Sequence, residues 1–429
     1  MKRRDFFRHT AASVVLPSLL QGFSIKAMAA HPLWTGDSMD TGDDRVLVLI
    51  QLNGGNDGLN TVIPLEYYEA YLNARSNIAI KQDKILSLNG FDKLGLNPAM
   101  PGMQSLFQEG KLAIVQAVGY PQPNFSHFRA TDIWLTGADS AQILSTGWAG
   151  RYLDYRFPKF PADYPNAGMP DPLAIQVGSL VSPALQGPVL TMGMAITNPT
   201  NFYDLINDRP QVAPAGPAGD QLAYIREMAR KTDQYAGVIK AAAQKVKQQS
   251  DKYPAAGKNP LSDQLKIVAR LVAGGLRTKI YIVNMGGFDT HARQTEAGDT
   301  SVGTHARLLA KLSEAIEVFM DDLQALGVGD RVVGMTFSEF GRRIRSNASG
   351  GTDHGAAAPV FVFGNKVQSG VIGNNPTLPA NATANDNIPM QYDFRALYAS
   401  LLKNWFQVDP GEAAILLQRD YPDIPIIRV

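Results

Sequence analysis

Five apolar runs, each closing on glycine or polar residues, constrain this chain more than any other feature. RVLVLIQL (45–52) leads into Gly54-Gly55, and KLAIVQAVG (111–119), KIYIVNMGG (279–287), RVVGMTFSEFG (331–341) and APVFVFG (358–364) repeat the design. A short, nearly continuous apolar run must be buried on both faces, which reads as a parallel strand covered by helices. Between the runs lie helical patterns. The clearest spans 303–327, where Leu308, Leu309, Leu312, Ile316, Phe319, Met320 and Leu323 recur at helical spacing, with Thr304 as a cap at the start and Gly327 at the end. Strands alternating with helices predict a doubly wound α/β sheet, whose ligands sit beyond the carboxyl ends of the strands.

The stretch 151–260 breaks the rhythm. FPKFPADYPNAGMPDP is proline-rich, QVAPAGPAGDQ is linker-like, and Gln221 to Gln249 reads as a long polar-faced helix. It is expected to be an insertion or cap within one domain covering 30–429.

With 429 residues, 45% of them hydrophobic, the chain can bury a large core. Its 40 Lys and Arg balance 39 Asp and Glu, so no basic field points to nucleic acid. Cysteine is absent, which excludes disulfides, thiolate catalysis and sulfur-ligated metals; a metal here would be held by oxygen and imidazole. The segment 1–29 reads as an address, with Arg3-Arg4 before Asp5-Phe6-Phe7, a short apolar run from Ala11 to Leu20 and Ala27-Met28-Ala29 as a cleavage site. It resembles a twin-arginine export signal, and its apolar run is too short to span a bilayer. The expected partners include the twin-arginine machinery and no stable membrane span, and the expected location is periplasmic or secreted.

The polar chemistry collects after the strands. NGGNDGLN carries Asp57, PNFSHFRATDIW carries Ser126 and His127, GGFDTHARQ carries Asp289 and His291, SEFGR carries Glu339 and Arg342, and GGTDHG carries Asp353 and His354. Carboxylates and imidazoles gathered on one sheet edge repel one another unless a divalent cation neutralises them. A serine hydroxyl at a helix N-terminus beside such an ion can attack phosphorus or sulfur, and Arg129 and Arg342 are candidates for holding the non-bridging oxygens. Each residue also has a plainer reading. Asp57 can be a turn residue, Ser126 a helix cap, Glu339 an ion-pair partner of Arg342 or Arg343, and His305 a polar first-turn residue.

In this order LNGGNDGLN, SHF with DIW, GGFDTH, SEFGR and GGTDHG resemble the domain of unknown function 1501 family, from about Arg45 onward. That family is placed with the alkaline phosphatases and sulfatases. The resemblance therefore implies a three-layer α/β/α sandwich around a mostly parallel sheet, one or two divalent ions (Zn, Mn, Ca or Mg) and hydrolysis of anionic small-molecule or polymer phosphate or sulfate esters. It further implies Ser126 at the nucleophile position, Asp289, His291 and His354 as ligands of one metal, and Asp57, Ser126 and Glu339 as ligands of a second. In the family pattern an Asp-His pair stands where this chain has Glu339, and SHFRA lacks the context in which sulfatases make formylglycine.

Two rival readings stay open. Gly36-Asp37-Ser38 and Gly54-Gly55-Asn56-Asp57 imitate blocks of SGNH esterases, but they lie too close together, and no aspartate stands three positions before His291, His305 or His354. The other rival is a secreted, non-catalytic binding or assembly module that keeps a metal-stabilised fold.

Overall fold

The computed structural model describes residues 43–199 and 234–428. The proposed leader and the part of the expected 221–249 helix before residue 234 lie outside the described residues. Among them no helix is long and apolar enough to cross a membrane.

Fourteen strands are described, nine of them in one central sheet. They are β1 (Val46–Leu52), β2 (Val62–Ile63), β3 (Leu86–Leu88), β4 (Phe91–Leu96), β5 (Leu112–Gly119), β6 (Ala174–Val177), β7 (Met194–Ile196), β8 (Ile280–Met285), β9 (Val332–Phe337), β10 (Gly341–Ser346), β11 (Thr352–Gly355), β12 (Ala358–Phe363), β13 (Gly370–Ile372) and β14 (Tyr392–Asp393). The central order is β13-β5-β12-β9-β1-β8-β6-β7, with β14 beside β5. β1 runs parallel to both neighbours, so that Leu49 lies opposite Ile282 on β8 and Met335 on β9.

The period-two alternation of a strand explains the layers. On β1, Leu47 and Leu49 enter one core with Ile133, Trp134, Trp148, Tyr152, Phe394 and Leu397. Val46, Val48, Ile50 and Leu52 enter the opposite core with Met103, Leu265, Leu309, Leu312 and Phe319. The helices His127–Thr136, Trp148–Arg156 and Phe394–Ser400 thus cover one face, and Pro101–Gln108, Pro260–Ala273 and Thr304–Ala325 the other. This is the expected α/β/α sandwich around a mostly parallel sheet.

Three details differ from the sequence reading. β12 is antiparallel to both β5 and β9. Periodicity reports burial on both faces and is blind to strand direction. The GGTDHG segment is the second arm of the β10–β11 hairpin and precedes β12, so it reaches the functional edge at the start of a strand. Gly303 and not Thr304 caps the helix Thr304–Ala325, because its φ of +131° and the Thr295 Cα that a Cβ would meet at 2.6 Å leave room for glycine alone. Within 151–260, β6 and β7 extend the central sheet at its edge.

Closure of β9 against β12 rests on a missing side chain. Phe363 lies opposite Gly334, and a Cβ on Gly334 would sit 2.0 Å from the Phe363 ring. G334A is expected to cost about 1–3 kcal/mol in chemical denaturation, the usual penalty for overpacking a filled core.

Candidate metal and active site

The carboxyl ends of β1, β5, β8 and β9 lie at one edge, and the loops that follow them meet the β10–β11 hairpin there. The junction is close. A Cβ on Gly54 would stand 2.3 Å from the backbone nitrogen of Asp289, and Gly54 has φ +123°. Gly54 therefore follows β1 because the loop after β8 passes directly against it.

A buried arginine holds these loops together. The Arg342 side chain is inaccessible to solvent, and it donates to the carbonyls of Gly55 (2.7 Å), Thr352 (2.8 Å), Phe288 (3.2 Å) and Gly54, and to Asp289 Oδ1 (2.7 Å). All three of its nitrogens are engaged. Arg342 is thus a loop clamp and does not face an ester oxygen as the sequence suggested. Arg129 is also committed, to the Asp132 carboxylate and the carbonyls of Asp139, Ser140 and Gln142.

The centre of the edge is Asp289. Its Oδ1 lies 3.1 Å from His291 Nε2 and 3.2 Å from His354 Nε2, and those two nitrogens are 2.9 Å apart. His127 Nε2 lies 3.4 Å from Oδ2, and ligand-capable atoms of His127, Asp289 and His354 all fall within 4.8 Å of one another. Burial alone would raise the Asp289 carboxyl, but the hydrogen bond and charge of Arg342 hold it down at about 2, so it is an anion at any physiological pH. Burial lowers His354 and favours its neutral form.

Each of the three imidazoles is turned the same way by an acceptor behind it. His127 Nδ1 meets Glu339 Oε1 at 2.8 Å, His291 Nδ1 meets Asp353 Oδ1 at 3.2 Å, and His354 Nδ1 meets the Phe125 carbonyl at 2.8 Å. A carbonyl or ionised carboxylate can only accept, so in each case Nδ1 carries a hydrogen, and whenever the ring is neutral its Nε2 lone pair faces Asp289. Lone pairs of three nitrogens then crowd a carboxylate, which is unfavourable without a positive centre among them. The donor set fits a divalent ion of the kind imidazole and carboxylate share, with the outer acceptors in the orienting role usual behind metal-bound histidines.

The expected ligand list is therefore divided. Asp289, His291 and His354, grouped by the family resemblance, lie together. Glu339 and Asp353 stand behind imidazoles; Glu339, nearly inaccessible, also accepts from the Gly54 amide at 2.8 Å. His127, carried by the stretch after the second apolar run, faces the carboxylate. Asp57 does not join the cluster. Its inaccessible carboxylate pairs with Arg75 at 2.6 Å and accepts from Gln294 at 2.5 Å, and Arg75 in turn binds the Ile344 and Arg343 carbonyls of β10. Although burial would raise it, the neighbouring Arg75 guanidinium holds the Asp57 carboxyl below its ordinary value. Arg75 lies outside every motif read from the sequence. Its spacing from Asp57, across a helix, is no recognisable pattern.

Ser126 is the N-cap of His127–Thr136, is exposed, and makes no side-chain capping bond. A cavity of about 460 Å³ opens beside the cluster, lined by Asn53, Gly54, His127, Phe128, Thr131, Asp289 and Glu339. Ser126 is not in its wall. His305 is the remaining histidine among the described residues; it lies in the first turn of Thr304–Ala325, as read from the sequence, and is buried. Its Nε2 donates to Asn56 Oδ1 at 2.9 Å, and burial pushes its pKa down to about 4.

Fold and site together define a mostly parallel α/β sandwich with a His and Asp cluster at the carboxyl edge of its sheet. The chain belongs to the family described as protein of unknown function DUF1501, whose model matches residues 201–416. No curated protein matches the sequence. Among solved structures it is similar to the C-terminal periplasmic domain of EcEptC from Escherichia coli in complex with Zn, at 11% identity over 78% of this chain and 77% of that chain, TM-score 0.35. It is also similar to the PsFucS1 sulfatase from Pseudoalteromonas sp., at 11% identity over 89% and 71%, TM-score 0.37. A third is a protein in the alkaline phosphatase superfamily from Vibrio parahaemolyticus, at 11% identity over 77% and 62%, TM-score 0.30.

Two predictions separate structural from metal-binding groups. Removing the Asp57 carboxylate leaves the Arg75 charge buried and uncompensated, so D57A should lose about 3–5 kcal/mol in urea denaturation while the metal content of its folded fraction by elemental analysis equals that of the unsubstituted protein. His305 is neutral when folded but takes up a proton near its ordinary pKa of about 6.5 when unfolded. Its contribution is complete above that pH and is lost as pH falls towards 4, up to about 3 kcal/mol. Melting temperature should fall over that window, and H305Q should flatten the fall.

Proposed function

We propose that this protein is a metal-dependent hydrolase acting on phosphate or sulfate esters. The observation that carries the reading is the common orientation of His127, His291 and His354, whose Nε2 atoms all face Asp289 because an acceptor holds each Nδ1. Asp289, His291 and His354 would hold the ion, with His127 on the cavity side. When bound, a divalent ion supplies positive charge to an ester oxygen and lowers the pKa of water.

The chain's own groups do the rest. The cavity lies at the N-terminus of His127–Thr136, where the positive end of the helix dipole favours an anion. The Asn53 carboxamide in the same wall can donate to a non-bridging oxygen. Glu339 keeps the His127 ring fixed, and Arg342 keeps Asp289 ionised and in place. Because Ser126 lies outside the wall, water is the nucleophile in this reading and Ser126 is the helix cap. The 1–29 leader supports twin-arginine export to the periplasm or beyond.

One observation favours the non-catalytic alternative: Arg129 and Arg342 are both engaged elsewhere, so neither is free to hold an ester. The test is elemental analysis of protein exported in its native host, followed by a panel of phosphate monoesters, diesters and sulfate esters. D289A and H354A should lose bound metal and at least about a hundredfold in turnover, as loss of a directly bound or electrostatic group does. S126A should retain both. Metal-replete wild-type protein that cleaves no ester in the panel would support the binding module instead, and S126A that keeps metal but loses turnover would restore the serine as nucleophile.

A further inference from the structure

The rim of the cavity carries an aromatic ring that the fold does not use. Phe128 is 91% exposed, although it lies one residue from His127 and lines the same cavity as Asp289. Trp134, on the same helix, is 2% exposed and stacks on Phe337 and Phe394 in the core. The helix therefore packs through one face and holds Phe128 out on another. An aromatic left in water beside a charged cavity contributes nothing to folding, while its flat face can cover an apolar surface brought to it.

The backbone beneath this ring is fixed. Arg129, the next residue, ties the first turn of the helix to Asp132 and to the carbonyls of Asp139, Ser140 and Gln142. Thr131 is three positions along from Phe128, on the same side of the helix surface, and also lines the cavity. The cavity is thus divided. Its polar part is Asn53, Gly54, His127, Asp289 and Glu339, and its apolar part is the Phe128 ring with Thr131 beside it.

We propose that Phe128 is the specificity residue for the alcohol part of the substrate, and that this part carries a ring at or next to the ester oxygen. The anionic group occupies the polar end, and the ring lies on the Phe128 face. This inference deepens the hydrolase reading and rests on it. Aromatic and saturated rings share the flat, weakly polar face that such a platform recognises, and the two are separable by experiment.

The test is equilibrium binding to the full chain loaded with Zn, using phenylphosphonate, cyclohexylphosphonate and methylphosphonate, none of which is hydrolysed. Wild-type protein should bind at least one ring-bearing compound about tenfold more tightly than methylphosphonate, the size of effect an aromatic contact supplies. In F128A that ratio should fall to about one, and F128W should restore it. Preference for phenyl alone identifies an aromatic substrate ring, and preference for both extends the site to saturated rings. Equal binding of all three by wild type, or a ring preference that survives in F128A, overturns the proposal. If metal-replete wild type binds none of them, the anion site itself fails, and the hydrolase reading fails with it.

Discussion

The site depends on one buried guanidinium. Arg342 is withdrawn from water, and removing a charge from water is costly unless every donor finds an acceptor and the charge a counterion. Here four carbonyls from three separate loops and the Asp289 carboxylate supply them. The requirement acts in both directions. The loops after β1 and β8 and the β10–β11 hairpin must stay together to satisfy the arginine, and their meeting brings Asp289 to His354. A second buried arginine, Arg75, joins Asp57 to the backbone of β10 in the same manner. Two cationic clamps thus support one anionic cluster, and neither is available to a ligand.

Around that frame the imidazoles are set by what stands behind them. Glu339, Asp353 and the Phe125 carbonyl are not interchangeable in burial or charge, yet each performs the same operation by accepting from Nδ1. All three rings then turn Nε2 toward a single carboxylate that Arg342 keeps ionised. His305 shows the opposite arrangement in the same protein. It is inaccessible, donates through Nε2 to the Asn56 side chain, faces no carboxylate directly, and is held neutral by desolvation. The chemistry of a histidine here follows from its surroundings and not from its presence in a motif.

Much of the framework was legible in the sequence. The apolar runs at 45–52, 111–119, 279–287 and 331–341 became strands with their polar ends at one edge, because continuous burial and a terminal glycine leave few other conformations. APVFVFG was legible as a strand but not as an antiparallel one, since direction is set by the preceding hairpin. Asp289, His291 and His354 were grouped only through the family resemblance, since their spacing in the chain is no metal-ligand pattern of its own. Asp57 sits in an equally suggestive motif, but its partner Arg75 is carried by another helix, and nothing local announces that pairing.

The sequence by itself determined the five long strands of the sheet, the helix near 303–327 and which edge collects the acids and imidazoles, because burial periodicity and glycine punctuation are local properties of the chain. Tertiary structure decided which of those acids face the cavity. A carboxylate becomes a ligand, an orienting acceptor or an arginine's counterion according to the donor that reaches it first, and at Asp289, Glu339 and Asp57 those donors come from a strand or from helix ends outside the acid's own segment.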